Sequence, residues 1–261
     1  MFIIDFTPLS PVFLTLGPLK FHYYGLMYVL AFTFAYFLIP YLLKVRKLEI
    51  KKHAFEDIFF WTIIGGLLGG RIFYVLFYNF SYFSENLLKI FAVWEGGMAS
   101  HGGFIGATLV LFFMCKKYKL PFWKVADVIV IPVGIGLMLG RFGNFINGEL
   151  YGRITDVAWC MNFDSAEGCR HPSQLYAALK DFILFSVLFS LRNTQWKPGI
   201  LAMSFIGLYA IFRFIVEFFR EPDSQIGILS LGLSQGQWIS VFMFFVSVLV
   251  VSVFLRKKKR D

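Results

Sequence analysis

Long apolar stretches separated by short polar segments form the dominant pattern along the chain. A helix needs about 20 apolar residues to cross a bilayer, and seven stretches of the sequence approach or reach that length. They run over residues 23–43, 58–78, 97–115, 125–145, 175–191, 200–219 and 238–255, the fifth being the shortest. The pattern predicts an all-α, polytopic integral membrane protein with about seven transmembrane helices.

The segments between these spans indicate how the rest of the chain is organised. Residues 1–20 are apolar but contain three prolines, and residues 79–95 combine polar groups with one apolar face, so we expect both to lie along the outer interface. An outer loop near residues 151–172 contains Cys160 and Cys169, which allow a disulfide in an oxidising compartment. No charged region precedes the first apolar run, so we expect no cleaved signal peptide. We predict one membrane-embedded domain over residues 1–261.

Composition and charge refine this picture. The chain is 58% apolar and 16% charged, which excludes disorder and an ordinary soluble core. Sixteen lysines and arginines fall in the loops and tail of one predicted face and five on the other. The positive-inside rule therefore places the N-terminus outside and the C-terminus in the cytoplasm. Orientation and attraction to anionic membrane lipids account for the net charge of +9, so no nucleic-acid partner is predicted.

The most informative polar stretch follows the fourth span. Residues 140–153 read GRFGNFINGELYGR. An arginine near bilayer depth costs at least about 2.5 kcal/mol, and irregular backbone there is tolerated only where protein covers it or it lines a cavity. Together, Arg141, Asn144, Asn147 and Glu149 indicate a functional site. The alternative is that Arg141 only extends to lipid headgroups.

The sixth span carries a second polar set. Tyr209, Arg213, Glu217 and Arg220 recur at intervals of four, four and three, which predicts that all four lie on one stripe of a helix. A buried polar stripe must pair internally or line a polar cavity. Arg213 and Glu217 can do both, or they can form an inert buried ion pair.

The second span contains Gly65, Gly66, Gly69 and Gly70, a spacing that lets a neighbouring helix approach closely. Arg71 follows directly, and at that depth it must face protein, water or an acidic partner.

Two aromatic or ionisable residues near the predicted outer face complete the candidates. His101 begins the third span among small residues that leave its ring approachable. Tyr24 lies in an aromatic cluster at the start of the first span, where it belongs either to an interfacial belt or to the site.

These motifs, with HGG at 101–103, HPSQLY at 171–176 and the segment 213–223, resemble in this order the bacterial phosphatidylglycerol–prolipoprotein diacylglyceryl transferases. The resemblance covers nearly the whole chain. It implies a protein of the bacterial inner membrane, with its active site toward the periplasm. This protein would move the diacylglyceryl group of phosphatidylglycerol to the lipobox cysteine of a preprolipoprotein, forming a thioether and releasing glycerol phosphate.

The resemblance also implies roles for individual residues. Catalytic roles fall on His101, Arg141, Arg213 and Glu149. Substrate-binding roles fall on Tyr24, Arg141, Asn144, Gly152, Tyr209, Arg213, Glu217 and Arg220. Related sequences often carry a glutamate where Ala177 stands, so any role of that acid is absent or has moved to another residue.

The chemistry of the residues agrees with such a transfer. Guanidinium groups bind a departing phosphate monoester as planar, bidentate donors, and Arg141 and Arg213 come from different predicted helices. A thiol attacks as the thiolate, and His101 can serve as its base, as a headgroup ligand, or as both. No motif predicts a cofactor or a metal. The alternative function is an organic-anion transporter or channel using Arg71, Arg141 and Arg213, although the internal repeat common in such proteins is missing.

Overall fold

The apolar stretches of the sequence form helices in the computed structural model, which describes residues 4–17, 19–222 and 227–256. In chain order the helices are α1 (Tyr23–Val45), α2 (Lys52–Phe77), α3 (Phe80–Glu85), α4 (Ser100–Lys117), α5 (Phe122–Ile146), α6 (Ser173–Ser190), α7 (Ile200–Val216) and α8 (Gln235–Arg256). A helix stands at each of the seven predicted spans. The all-α polytopic membrane class is therefore confirmed.

Four of these helices, α1, α2, α5 and α8, are long and apolar enough to cross a membrane, whereas α7 is apolar but shorter. Large apolar side chains such as Phe37, Phe77 and Phe242 are each at least 70% exposed. Such exposure is expected where lipid rather than water surrounds the protein. The count of seven spans and the orientation of the termini stay predictions.

Contacts group the chain into two compact units. One contains the described residues of Met1–Arg46 and Ala126–Asp261, and the other contains Lys47–Val125. The boundary falls inside α5. The single functional domain stays a prediction.

In the unit Lys47–Val125, α2 and α4 approach each other through their glycines. A Cβ atom on Gly65 would lie 3.0 Å from the carbonyl oxygen of Gly106, and one on Gly69 would lie 2.8 Å from the Gly106 Cα. Side chains at these positions would push the helices apart. The predicted role of the glycines of α2 in helix packing is confirmed.

Arg71 stabilises the segment that follows α2 through hydrogen bonds. Its side chain is 4% exposed. Its guanidinium donates hydrogen bonds to five carbonyl oxygens, of Ile90 (2.9 Å), Lys89 (2.6 Å), Ala92 (3.1 Å), Gly97 (3.0 Å) and Gly96. The cation thus faces protein, one of the predicted environments, and its donors serve the backbone rather than an anionic substrate.

The predicted interfacial segment 79–95 is helical in short pieces rather than as one helix. It consists of α3 and two 3-10 turns, Leu87–Phe91 and Val93–Glu95. The Arg71 bonds satisfy carbonyls that a continuous helix would have satisfied itself.

In the other unit, the amino-terminal segment forms short strands that the sequence analysis did not predict. β1 (Ile4–Phe6) pairs in parallel with β4 (Met161–Phe163), and β4 pairs with β5 (Cys169–Arg170). β2 (Val12–Leu16) and β3 (Leu19–His22) form a separate antiparallel pair. The predicted outer loop is therefore paired with residues near the start of the chain.

Asp127, near the start of α5, is a buried carboxylate with a structural role. It accepts hydrogen bonds from the backbone N–H groups of Gly199 (2.9 Å) and Ala202 (2.8 Å) at the start of α7. It also lies 3.5 Å from the guanidinium of Arg46. Asp127 thus satisfies otherwise unpaired donors of a helix N-terminus.

Cys160 and Cys169 form a disulfide, with their Cα atoms 5.4 Å apart. We expect the double variant C160S/C169S to lose about 2–3 kcal/mol of stability, because its unfolded chain is no longer restricted by a short closed loop. The activity that the sequence resemblance implies should survive, because neither sulfur is assigned to chemistry. Thermal melts and activity of both proteins check this expectation. Mass analysis of unreduced, alkylated wild type that found both thiols free would contradict the disulfide.

Candidate active site

The polar stretch predicted from the sequence begins on the last turns of α5. Arg141 donates to the side-chain oxygen of Asn144 (3.5 Å), and the amide of Asn144 donates to the carboxylate of Glu149 (3.5 Å). Asn147 donates to the other oxygen of that carboxylate at 3.1 Å. One continuous polar network therefore joins the end of α5 to the turn after it.

The start of α6 holds that turn in place. Gln174 donates to the backbone carbonyl of Glu149 (2.7 Å), and the Ser173 hydroxyl donates to the carbonyl of Leu150 (2.8 Å). Both donors are buried. The backbone of the turn is thereby fixed while the Glu149 carboxylate stays exposed.

Gly152 is enclosed by backbone from two other segments. Its N–H donates to the carbonyl oxygen of His171 at 2.9 Å, and it forms an isolated β-bridge with Arg220. A Cβ atom here would lie 2.5 Å from the carbonyl oxygens of both His171 and Phe219. Only glycine permits this three-way approach.

The α7 residues of the site agree with the sequence analysis except at Arg220. Arg213 and Glu217 form an ion pair of 2.7 Å, and the Ser234 hydroxyl donates to Glu217 at 3.1 Å. The prediction that Arg220 lies on the same helix stripe is wrong. α7 ends at Val216, the next turn tightens, and Arg220 pairs through its backbone with Gly152. Pro222 follows closely and cannot continue a helix.

Arg141 of α5 and Arg213 of α7 lie close enough to interact electrostatically. Arg213 interacts with Arg141 as well as with Glu217, Arg220 and Tyr209. Guanidinium groups from two helices therefore converge on one region. Like charges held close together in a membrane protein favour an anionic ligand.

Tyr24 also lies in this region. Its ring packs on the backbone of Gly143, where a Cβ atom would lie 2.7 Å from the Tyr24 Cδ2. The Tyr28 hydroxyl donates to the Tyr24 hydroxyl (3.4 Å) and interacts electrostatically with Arg141. These contacts favour Tyr24 as a member of the site over a purely interfacial role.

His101 lies in the other compact unit, in the first turn of α4, where its side chain is exposed. Its participation in the reaction stays a prediction.

His171 adds an aromatic hydrogen-bond chain beside Gly152. Trp159 donates from its indole nitrogen to the Tyr176 hydroxyl (2.7 Å), which lies 3.1 Å from the Nδ1 of His171. Burial lowers the pKa of His171 below its usual value. Burial thus favours the neutral ring, whose Nδ1 shares a hydrogen bond with the tyrosine hydroxyl.

The sequence analysis missed two charged residues of α6. Lys180 and Asp181 are buried and form an ion pair. Adjacent opposite charges inside a predicted span are a recognisable signal, because they are costly unless they serve a site or pair. Ala177, where the resemblance implies a glutamate, is buried one turn before Asp181.

In the described part of the chain, no group of three or more His, Cys, Asp or Glu side chains could hold a metal ion.

The variant Glu217→Gln should lower transfer activity or folding yield, because it leaves Arg213 without its counter-ion. The two side chains are 14% and 7% exposed, so the cost lies nearer the roughly 3–5 kcal/mol of a buried pair than the ~0–1 kcal/mol of a surface pair. Expression level, melting temperature and turnover measure it.

Glu221→Gln is the matched control. Glu221 pairs with Arg170 at 3.2 Å, but its side chain is 47% exposed, so its loss should cost at most about 1 kcal/mol. Equal behaviour of the two variants would show that the Arg213–Glu217 pair is incidental.

Comparisons with known proteins identify the family of this chain. A family model described as prolipoprotein diacylglyceryl transferase matches residues 11–253. The chain is 44% identical over 257 residues to the phosphatidylglycerol–prolipoprotein diacylglyceryl transferase of Geobacter sulfurreducens, covering 98% of this chain and 99% of that one. It is 41% identical to the protein of the same name from Bordetella avium, covering 99% of each chain. It is 42% identical to that of Idiomarina loihiensis, covering 98% of this chain and 96% of the relative. The chain belongs to the prolipoprotein diacylglyceryl transferase family.

Proposed function

We propose that this enzyme transfers the diacylglyceryl group of phosphatidylglycerol to the cysteine thiol of a prolipoprotein. The relatives carry both substrates in their names. The observation that carries the proposal is that Arg141 of α5 and Arg213 of α7 lie close enough to interact electrostatically. The acceptor cysteine would lie in the lipobox of the signal peptide.

The reaction needs these cations at its leaving group. The cysteine thiolate attacks the carbon of the diacylglyceryl group that is bonded to the phosphate oxygen. A carbon–sulfur bond forms, the carbon–oxygen bond to phosphate breaks, and its electron pair leaves on the phosphate oxygen. The products are a thioether and glycerol phosphate. Arg141 and Arg213 offset the negative charge that grows on that oxygen.

The other site residues orient these two cations and the substrates. Asn144 holds Arg141 and is itself held by Glu149, while Glu217 holds Arg213. The binding region around the two arginines is completed by Tyr24, Gly152, Tyr209 and Arg220. His101 accepts the thiol proton, binds the headgroup, or does both.

The competing function, an organic-anion transporter, has no support from the family comparisons. Arg71, one of its three supposed ligands, donates to backbone carbonyls.

A direct assay tests the proposal. Purified protein in detergent receives phosphatidylglycerol and a peptide containing a lipobox cysteine, and mass spectrometry follows the peptide. We expect a mass increase of one diacylglyceryl group and release of glycerol phosphate, with no product from a peptide whose cysteine is serine. Because detergent leaves no sealed compartment, activity excludes transport, and an inactive, folded protein would overturn the proposal.

We further propose that the protein lies in the bacterial inner membrane with its site toward the periplasm. A reporter fused after Asp261 should be cytoplasmic and one inserted near Asp164 external, because lysine and arginine favour the first face by 16 to 5. Paired alkaline phosphatase and fluorescent-protein fusions measure both positions. An external carboxyl terminus would reverse the assignment. The basic residues 257–260, which enter the count, and Asp223 lie outside the residues that the structure describes.

A further inference from the structure

Lys180 and Asp181 form a buried ion pair on α6 that the mechanism above does not use. The two side chains are 5% and 1% exposed, and the lysine ammonium pairs with one carboxylate oxygen, Oδ1. The second oxygen of Asp181 is buried and accepts no hydrogen bond from the residues that the structure describes. The carboxylate is thus only partly satisfied by its lysine.

The pair lies against the candidate site. The ammonium of Lys180 lies 4.4 Å from the centre of the Tyr209 ring, a cation–π contact. Tyr209 is one turn before Arg213 on α7. Both Lys180 and Asp181 interact electrostatically with Arg141 and with Arg213. Lys180 therefore shares its surroundings with the two guanidinium groups.

A purely structural pair is a weak explanation for this arrangement. Burying two charges seldom gains stability over apolar residues of similar size. The ammonium of Lys180 adds repulsion toward the two arginines, and Asp181, which interacts with the same arginines, offsets it only in part. An anion bound between the cations would relieve that repulsion.

We propose that Lys180 is an additional cationic group of the anion site of Arg141 and Arg213, and that Asp181 partly offsets its charge. This inference rests on the proposed function. The lipid substrate is a phosphate diester with one negative charge, whereas the released phosphate monoester carries about −1.5 to −2 at pH 7. Lys180 strengthens the site for the anion, and Asp181 keeps the site from holding the more highly charged product too tightly.

The two charges therefore predict opposite effects on product binding. Lys180→Met should weaken inhibition by glycerol phosphate about tenfold, since a charge-assisted contact is lost. Lys180→Arg should restore most of that affinity. Asp181→Asn removes the offsetting charge at nearly constant shape, so it should tighten inhibition several-fold.

The matched control is the Arg46–Asp127 pair. Asp127 lies fourteen residues before Arg141 on α5, about 21 Å away by helical rise, and its partners are structural. Asp127→Asn should lower the melting temperature and leave the inhibition constant unchanged.

The experiment measures transfer from phosphatidylglycerol to a lipobox peptide, with glycerol phosphate as inhibitor, for wild type and these variants in one detergent. Opposite shifts for Lys180→Met and Asp181→Asn support the inference. Equal inhibition constants, or weaker inhibition for Asp181→Asn, overturn it. If Lys180→Met does not fold, the direction of the Asp181→Asn shift decides alone. Wild type without transfer activity would instead refute the proposed function.

Discussion

Replacing Arg141 by lysine is expected to slow lipid transfer about a hundred- to a thousandfold while the protein still folds. That loss corresponds to roughly 3–4 kcal/mol, the usual cost of one preorganised donor at a developing oxyanion. An ammonium group keeps the charge but cannot reproduce the two-pronged geometry of a guanidinium on phosphate. The hydrogen bond to Asn144 orients the planar fork of Arg141, and an ammonium has no such fork to orient.

The measurement compares turnover and melting temperature of wild type, Arg141→Lys and Arg141→Ala in the same detergent. Arg192→Lys is the control, because Arg192 follows the last turn of α6 and donates to the carbonyl of Phe189 (2.8 Å). It should stay close to wild type. Folded Arg141→Lys with near wild-type turnover would reduce Arg141 to a headgroup contact without a catalytic role.

The variant Gly152→Ala is expected to be almost as damaging, for a steric reason. Its new Cβ would meet two carbonyl oxygens at 2.5 Å and the Cβ of His171 at 2.6 Å. Because backbone carbonyls cannot rotate away as a side chain can, the loss of stability should reach roughly 3 kcal/mol, the upper end of the usual range for overpacking. Where the clash also displaces Arg220, which pairs with Gly152, the transfer rate falls by about a hundredfold.

Gly136→Ala supplies the comparison within the same unit. A Cβ on Gly136 would meet only the Cβ of Ala31, at the ordinary contact distance of 3.7 Å, and alanine favours a helix by about 1 kcal/mol over glycine. That variant should be as stable as wild type and fully active. Gly152→Ala with unchanged rate and melting temperature would show that the three segments can separate freely.

Much of this architecture was predictable because membrane helices carry strong local signals. The apolar stretches locate the helices, and the glycine spacing of α2 predicts close contact with a neighbouring helix, which the structure identifies as α4. The network of Arg141, Asn144 and Glu149 was also predictable, since these residues lie within nine positions of one another. Contacts of short range are readable in the sequence.

What the sequence did not predict depends on distant backbone. Arg220 leaves the α7 stripe because it pairs with Gly152, which is 68 positions earlier in the chain. The strand β1 is too short to show a period, and its partner β4 lies more than 150 positions away. The charges of Lys180 and Asp181 are visible in the sequence, but their place beside the site depends on α7, whose Tyr209 ring lies against the lysine ammonium.

The hydrogen bonds from Arg71 to five carbonyl oxygens limit which segments can be exchanged between related proteins. The shape of residues 87–97 depends on a side chain of α2. A chimaera that received only this segment from another protein would have to match its carbonyls to a guanidinium fixed by a different helix. The smallest transferable module therefore runs from Arg71 through Gly97, and shorter grafts would separate the cation from its acceptors.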